Sequence, residues 1–191
     1  MIESSGTVYV GTLNGRHGFD TLLDELGPKV ILRLGRDPHP VDHGVDKRSV
    51  MVDRICAVTK ESWGEIREIN WVGLDQYDDR IEELPILIGD NAITESAAIG
   101  VMLLLGNELE GFVLNTVLPI GSGGDYFVVL QGNNTRIQVE VSGIRSGTGS
   151  QARRRLGEKK GQVRKPGFAS VTTFGYEIYP EAHSFLHYFE T

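Results

Sequence analysis

From Ala97 to Leu105 the chain is apolar nearly all round at helical spacing, and the surrounding segment Ala92 to Glu110 reads as one helix. Such a helix cannot lie on a surface with one side wet. It must be buried on more than one side, so the chain has to fold around it. Asn91 or Thr94 can cap it, and Gly111 ends it. The apolar run is too short to span a bilayer. Strands follow. Phe112 to Ile120 is rich in Val and Leu, and Gly121-Ser122-Gly123-Gly124 breaks the chain. Asp125 to Gln131 and Thr135 to Ile144 read as two strands around a Gly-Asn-Asn turn. Ser150 to Lys165 reads as a helix capped by Ser150 and stopped by Pro166-Gly167, and Phe168 to Phe174 as a further strand. The order is helix, strand, strand, strand, helix, strand. Pro180 to Phe189 is expected to be a short terminal helix with Pro180 at its start.

The first half also mixes α and β patterns. Thr7 to Leu13 reads as a strand, and Phe19 to Leu26 as a helix stopped by Gly27-Pro28. Val30 to Leu34 reads as a buried strand, Arg36 to Lys47 as a loop, and Val50 to Val58 as a strand. Glu61 to Ile69 is expected to be a helix weakened by Gly64, and Gln76 to Glu83 an acidic exposed stretch. The expected fold class is mixed α/β. Residues 1–88 form an α/β region and residues 89–191 carry the helix-strand-strand-strand-helix-strand core.

Composition narrows the function classes. The chain of 191 residues carries 24 glycines without a Gly-X-Y period, so collagen is excluded. A single cysteine, Cys56, excludes a disulfide framework and any Cys-based zinc site, and it is expected as a small buried apolar residue. The N-terminus shows no basic region and no apolar signal core, so a reduced cytoplasmic protein without a membrane segment is expected.

Net charge is −7, but it is unevenly placed. Arg145, Arg153, Arg154, Arg155, Lys159, Lys160, Arg164 and Lys165 are opposed within their window only by Glu158. That window carries +7 and the remainder −14. Such a chain can bind a polyanion at one place rather than everywhere. A basic helix paired with acidic neighbours would show the same pattern.

A two-residue turn at Asn133-Asn134 would pair Gly132 with Thr135. Asp125 would then face Ser142, and Phe127 would face Glu140. Asp125, Glu140 and Ser142 share one face, with Asp125 and Glu140 as diagonal neighbours. Tyr126, Val128, Leu130, Ile137, Val139 and Val141 form the opposite, apolar face. Two carboxylates on one sheet face can hold a hard divalent cation. Two solvent-exposed acids on a hairpin would fit the same spacing.

The element order, Gly124-Asp125-Tyr126 and Glu140-Val141-Ser142 resemble the PD-(D/E)xK nuclease superfamily over Ala92 to Phe174. The resemblance implies a restriction-endonuclease-like core in which Asp125 and Glu140 bind Mg²⁺, joined by Glu95 from the first helix. The family's lysine falls on position 142, where this chain has Ser142. In some members that lysine has moved to the following helix. Here Ala152, Leu156, Lys159 and Val163 form one inward stripe whose only charge is Lys159. A snorkelling lysine at the edge of the stripe is the alternative. Gly147-Thr148-Gly149-Ser150 precedes the helix and could hold a phosphate, and Arg153, Arg154 and Arg155 could track a nucleic-acid backbone.

Other candidates are weaker. His39, Asp42 and His43, with His17 upstream, sit in or near a polar loop. His183 and His187 stand at i, i+4 and lack a third ligand. Three readings stay open: a metal-dependent nuclease, an inactive nuclease fold that binds nucleic acid or protein, and an immunity-type protein whose acidic first half docks a basic partner.

Overall fold

The computed structural model describes residues 4–36, 46–117, 125–131, 134–163, 166–175 and 182–190. The fold is mixed α/β, as the sequence pattern implies. In chain order the elements are β1 (Ser4–Tyr9), α1 (Leu13–His17), α2 (Leu22–Ile31), β2 (Lys47–Ile55), β3 (Ser62–Asn70), α3 (Asp78–Leu87), α4 (Asp90–Glu110), β4 (Phe112–Val117), β5 (Tyr126–Leu130), β6 (Arg136–Ile144), α5 (Gly149–Gln162), β7 (Gly167–Phe174) and β8 (Ala182–Phe189). Among the described residues the strands form one sheet in the order β1-β3-β2-β8-β7-β6-β5-β4. β4, β5 and β6 are antiparallel neighbours, and β7 lies parallel to β6. The sheet is continuous through β8, which is antiparallel to β7 and parallel to β2.

α4 lies in the main core, with Ala97, Ala98, Val101, Leu103, Leu104 and Leu105 wholly buried. It is long and apolar enough to cross a membrane by length and composition, but its apolar surface is mostly spent inside the protein. The core contains α2 and α4 together with residues of β1, β2 and β6. On the other face of the sheet α5 and the Val163 that follows it bury Ala152, Leu156 and Val163 against Ala169, Val171 and Phe185. Gly111, at φ +69°, closes α4 in the left-handed conformation that glycine adopts freely.

Several segments differ from the sequence reading. β1 ends at Tyr9, and the expected strand Thr7 to Leu13 turns into a 3₁₀ turn and α1. Pro28 does not stop a helix after Leu26. α2 runs through it to Ile31 and a π-helical turn (Leu32–Arg36) follows, so Val30 to Leu34 is no strand. Leu26 and Val30 pack close to Gly100 of α4, and that burial outweighs the ~3 kcal/mol cost of an interior proline. The helix expected over Glu61 to Ile69 is β3. All nine of its residues pair with β2, and β1 pairs on its other side; tertiary pairing overrides weak local propensity. Gln76 to Glu83 is not wholly exposed, because Ile81 of α3 is buried.

The expected terminal helix Pro180 to Phe189 is strand β8 over its described part. Its period is two: Ala182, Ser184, Leu186 and Tyr188 alternate with His183, Phe185, His187 and Phe189. Thr148 rather than Ser150 caps α5, through a capping box with Gln151. α4 begins at Asp90 with Gly89 as its cap residue and no side-chain cap. Cys56 is only half-buried.

Candidate functional site

The β5–β6 hairpin pairs Tyr126 with Val139, Phe127 with Gln138, and Val129 with Arg136. This register is displaced by two residues from the one expected. A slip of two keeps every side chain on its face, so the hydrophobic alternation is blind to it. Val128, Leu130, Ile137, Val139 and Val141 are buried as expected. Asn134, at φ 53°, lies in the turn, while Asn133 is outside the described residues. Asp125 falls just before β5 and outside the ladder, yet its carboxylate and that of Glu140 still meet at one cation, Lys159.

β5 stops at Tyr126, whereas β6 continues to Ile144. Beyond the end of β5, carboxylates take its place along the edge of β6. Asp125 donates its N–H to the Val139 carbonyl at 3.2 Å. Its Oδ2 accepts from the Val141 N–H at 2.7 Å. Glu95 arrives from α4, and its Oε2 accepts from the Gly143 N–H at 3.1 Å. The Ser142 hydroxyl donates to Glu95 Oε1 at 3.3 Å. These bonds satisfy edge amides that would otherwise lack partners. α4 comes this close because residue 143 is glycine: a Cβ there would lie 2.4 Å from the Thr94 carbonyl oxygen.

Lys159 completes the cluster. The buried Ala152 and Leu156 fix the inward face of α5, and Lys159 stands on it with a side chain only 14% exposed. Its Nζ is 3.0 Å from Glu140 Oε2 and 3.7 Å from Asp125 Oδ2. The Glu140 side chain is 5% exposed, that of Asp125 40%. Burial, followed by the negative charges of Asp125 and Glu95, pushes the neighbouring Tyr126 hydroxyl up to about 12. One turn before Lys159, the Arg155 Nε donates to the Ser142 hydroxyl at 3.0 Å. Arg155, Ser142 and Glu95 thus form a second chain of contacts beside the first.

The three arginines of α5 have different surroundings. Successive residues turn by about 100°. Arg155 bonds Ser142 and Glu158. Arg154 is 79% exposed. Arg153 lies on the flank toward β8, where its charge reaches Asp53 and His183. Arg164 and Lys165 are outside the described residues. The loop at Gly147 spends its Thr148 and Gln151 groups on the capping box. The π-helical turn supplies a contact the sequence did not suggest. Arg33, buried, donates to Thr94 Oγ1 at 3.0 Å and to Asp90 Oδ1 at 2.5 Å, anchoring the start of α4 that carries Glu95. Burial alone would raise the Asp90 carboxyl, but Arg33 and Arg145 outweigh it and hold it below its usual value.

The remaining histidines have other tasks. His187 Nε2 lies 3.0 Å from Asp53 Oδ1, which holds the Asp53 carboxyl below its usual value. His183 stacks on Phe185 at 4.3 Å between ring centres. On a strand His183 and His187 stand about 13 Å apart, too far to share an ion. His17 is buried, and its Nδ1 accepts from the Leu114 N–H at 3.1 Å; burial pushes it down to about 4. His39, Asp42, His43 and the Gly121–Gly124 break are outside the described residues.

Among the described residues no group of three or more His, Cys, Asp or Glu side chains is arranged to hold a metal ion. The pair Asp125 and Glu140 is suitable in chemistry: two hard carboxylates within reach of one cation, one of them buried. No family model, no curated protein and no solved structure matches this chain.

Proposed function

We propose that the chain hydrolyses nucleic-acid phosphodiesters in a metal-dependent reaction, on a core related to the PD-(D/E)xK nucleases. The observation that carries this reading is the convergence of Lys159 of α5 on Glu140 of β6 and on Asp125, just before β5, at 3.0 and 3.7 Å. The helix-strand-strand-strand-helix-strand order from α4 to β7 supports it. Asp125 and Glu140 would hold Mg²⁺, which when bound neutralises phosphate charge and makes water a better nucleophile.

The residues of the chain do the rest. Lys159 presents an ammonium to charge developing on the phosphoryl oxygens. Glu140, clamped by Lys159, stays aligned on the sheet. Glu95 and Asp125 bind the edge amides of β6 and so fix the strand that carries Glu140. Ser142, at the family's lysine position, is held by Arg155 and takes no proton. The test is single-turnover cleavage of labelled DNA and RNA with Mg²⁺. Lys159→Ala should slow it by roughly 10²-fold or more, the scale of one lost transition-state contact, with substrate binding nearly unchanged. Equal loss of binding and cleavage would make Lys159 a plain phosphate contact.

One observation favours a second reading, a nuclease fold that binds without cutting. Lys159 already neutralises both carboxylates by direct contact, which is what an ion would otherwise do. The absence of metal-dependent cleavage in the wild-type protein would select it.

A further inference from the structure

A cleft of about 560 Å³ opens beside Glu95, between the start of α4, the end of β6 and one flank of α5. Arg145, Arg154 and Arg155 line it, opposed by Glu95 and Glu158. Arg155 is anchored at Nε by the buried Ser142 hydroxyl, while its Nη1, Arg154 and Arg145 make ion pairs with partly exposed carboxylates. Arg145 Nη1 lies 3.2 Å from Asp90, and both side chains are about half exposed. Arg154 Nε is 3.9 Å from Glu158, and Arg155 Nη1 is 3.0 Å from it. Exposed ion pairs of this kind contribute about 0–1 kcal/mol, so an incoming anion can displace them. A guanidinium has five donors in a planar fork suited to phosphate. Glu95 and Arg155 belong both to this cleft and to the network around Ser142, two residues along β6 from Glu140. Arg153 is not among the lining residues.

We propose that this cleft is a phosphate subsite, which takes a phosphodiester of the same strand flanking the one presented to Asp125, Glu140 and Lys159. Its place in a reaction rests on the nuclease reading; its binding of phosphate does not. The subsite divides the basic helix. Arg154 and Arg155, with Arg145, engage the strand, whereas Arg153 faces away from it. Glu158 opposes binding, since it competes for Arg154 and Arg155 and repels phosphate.

The experiment is a binding titration in EDTA, where no metal-dependent cleavage occurs. The probes are a fluorescent single-stranded hexanucleotide and inorganic pyrophosphate as competitor. Arg154→Ala should weaken hexanucleotide binding by about three- to fivefold, lower the salt slope by about one and blunt competition by pyrophosphate. Glu158→Gln should tighten binding by about two- to threefold, a gain that misfolding cannot produce. Arg153→Ala should change affinity by less than about twofold. Equal losses in Arg153→Ala and Arg154→Ala would overturn the proposal, as would no gain in Glu158→Gln or no binding of either probe. Probe binding with this pattern but no cleavage under Mg²⁺ keeps the subsite and removes the nuclease reading. Cleavage without this pattern does the reverse.

Discussion

Replacing Lys159 with Met tests whether the charge cluster is a coupled unit. Methionine keeps much of the stem that covers the sheet and removes the ammonium. The Glu140 carboxylate then sits 5% exposed without the cation 3.0 Å away. At that distance the attraction is about 5 kcal/mol at an effective dielectric of about 20. Desolvation of both groups cancels part of it. Removing one partner of a fully buried pair costs about 3–5 kcal/mol; Lys159 is 14% exposed, so about 3 kcal/mol is expected. For a domain of this size that lowers Tm by roughly 6–12 °C. The assay is urea and thermal unfolding in EDTA. Glu140→Gln in the same background should recover half or more of the loss, because the uncompensated charge is gone. A cost for Lys159→Met below about 0.5 kcal/mol, the level of an ordinary surface change, would refute the coupling. So would a double variant whose loss equals the sum of the two single losses.

The other predictions concern metal, pH and packing. Mg²⁺ or Mn²⁺ at a hundredfold excess over its Kd should stabilise the protein by about 2.7 kcal/mol, and Asp125→Ala and Glu140→Ala should each abolish the effect; a rise in Tm that survives both would place the ion elsewhere. His17 is held near 4 when folded against about 6.5 unfolded, so its contribution is full above pH 6.5 and is lost as pH falls from 6.5 to 4. That loss is about 3 kcal/mol, and the stability difference between wild type and His17→Gln, followed by urea unfolding, should shift by that amount toward the variant; a difference constant with pH would contradict it. Gly143→Ala would place a Cβ against the Thr94 carbonyl and should cost about 1–3 kcal/mol by forcing α4 off β6, read as a lower Tm; an unchanged Tm would mean that the contact yields freely.

The features legible in the sequence are those with a long period or a same-face rule. α4 stands out because it is apolar all round, and the β5–β6 hairpin because its alternation separates Val139 and Val141 from Glu140 and Ser142. Lys159 stands out as the lone charge on a buried stripe. Register was not legible, because a two-residue slip leaves the alternation intact. β3 and β8 were not legible either: Glu61 to Ile69 and Ala182 to Phe189 become strands by pairing with distant segments, and short mixed runs do not carry that information. Pro28 misleads because local cost is visible in a sequence and packing against Gly100 is not. The roles of Arg33 and Arg145 at Asp90, and the separation of Arg153 from Arg154 and Arg155, depend on where α4, α5 and the π-helical turn meet. No spacing rule relates positions 33, 90 and 145.

Asp125, Glu140 and Lys159 are proposed to form one metal-dependent hydrolytic site. Single-turnover cleavage of labelled single-stranded and duplex DNA and RNA, with and without Mg²⁺, tests it most directly when run on wild type, Asp125→Asn and Glu140→Gln together. Wild type should cleave only with the metal, and both variants should lose that cleavage while each stays folded. Cleavage that persists in either variant, or a wild type that cuts none of the substrates with Mg²⁺ present, would contradict it.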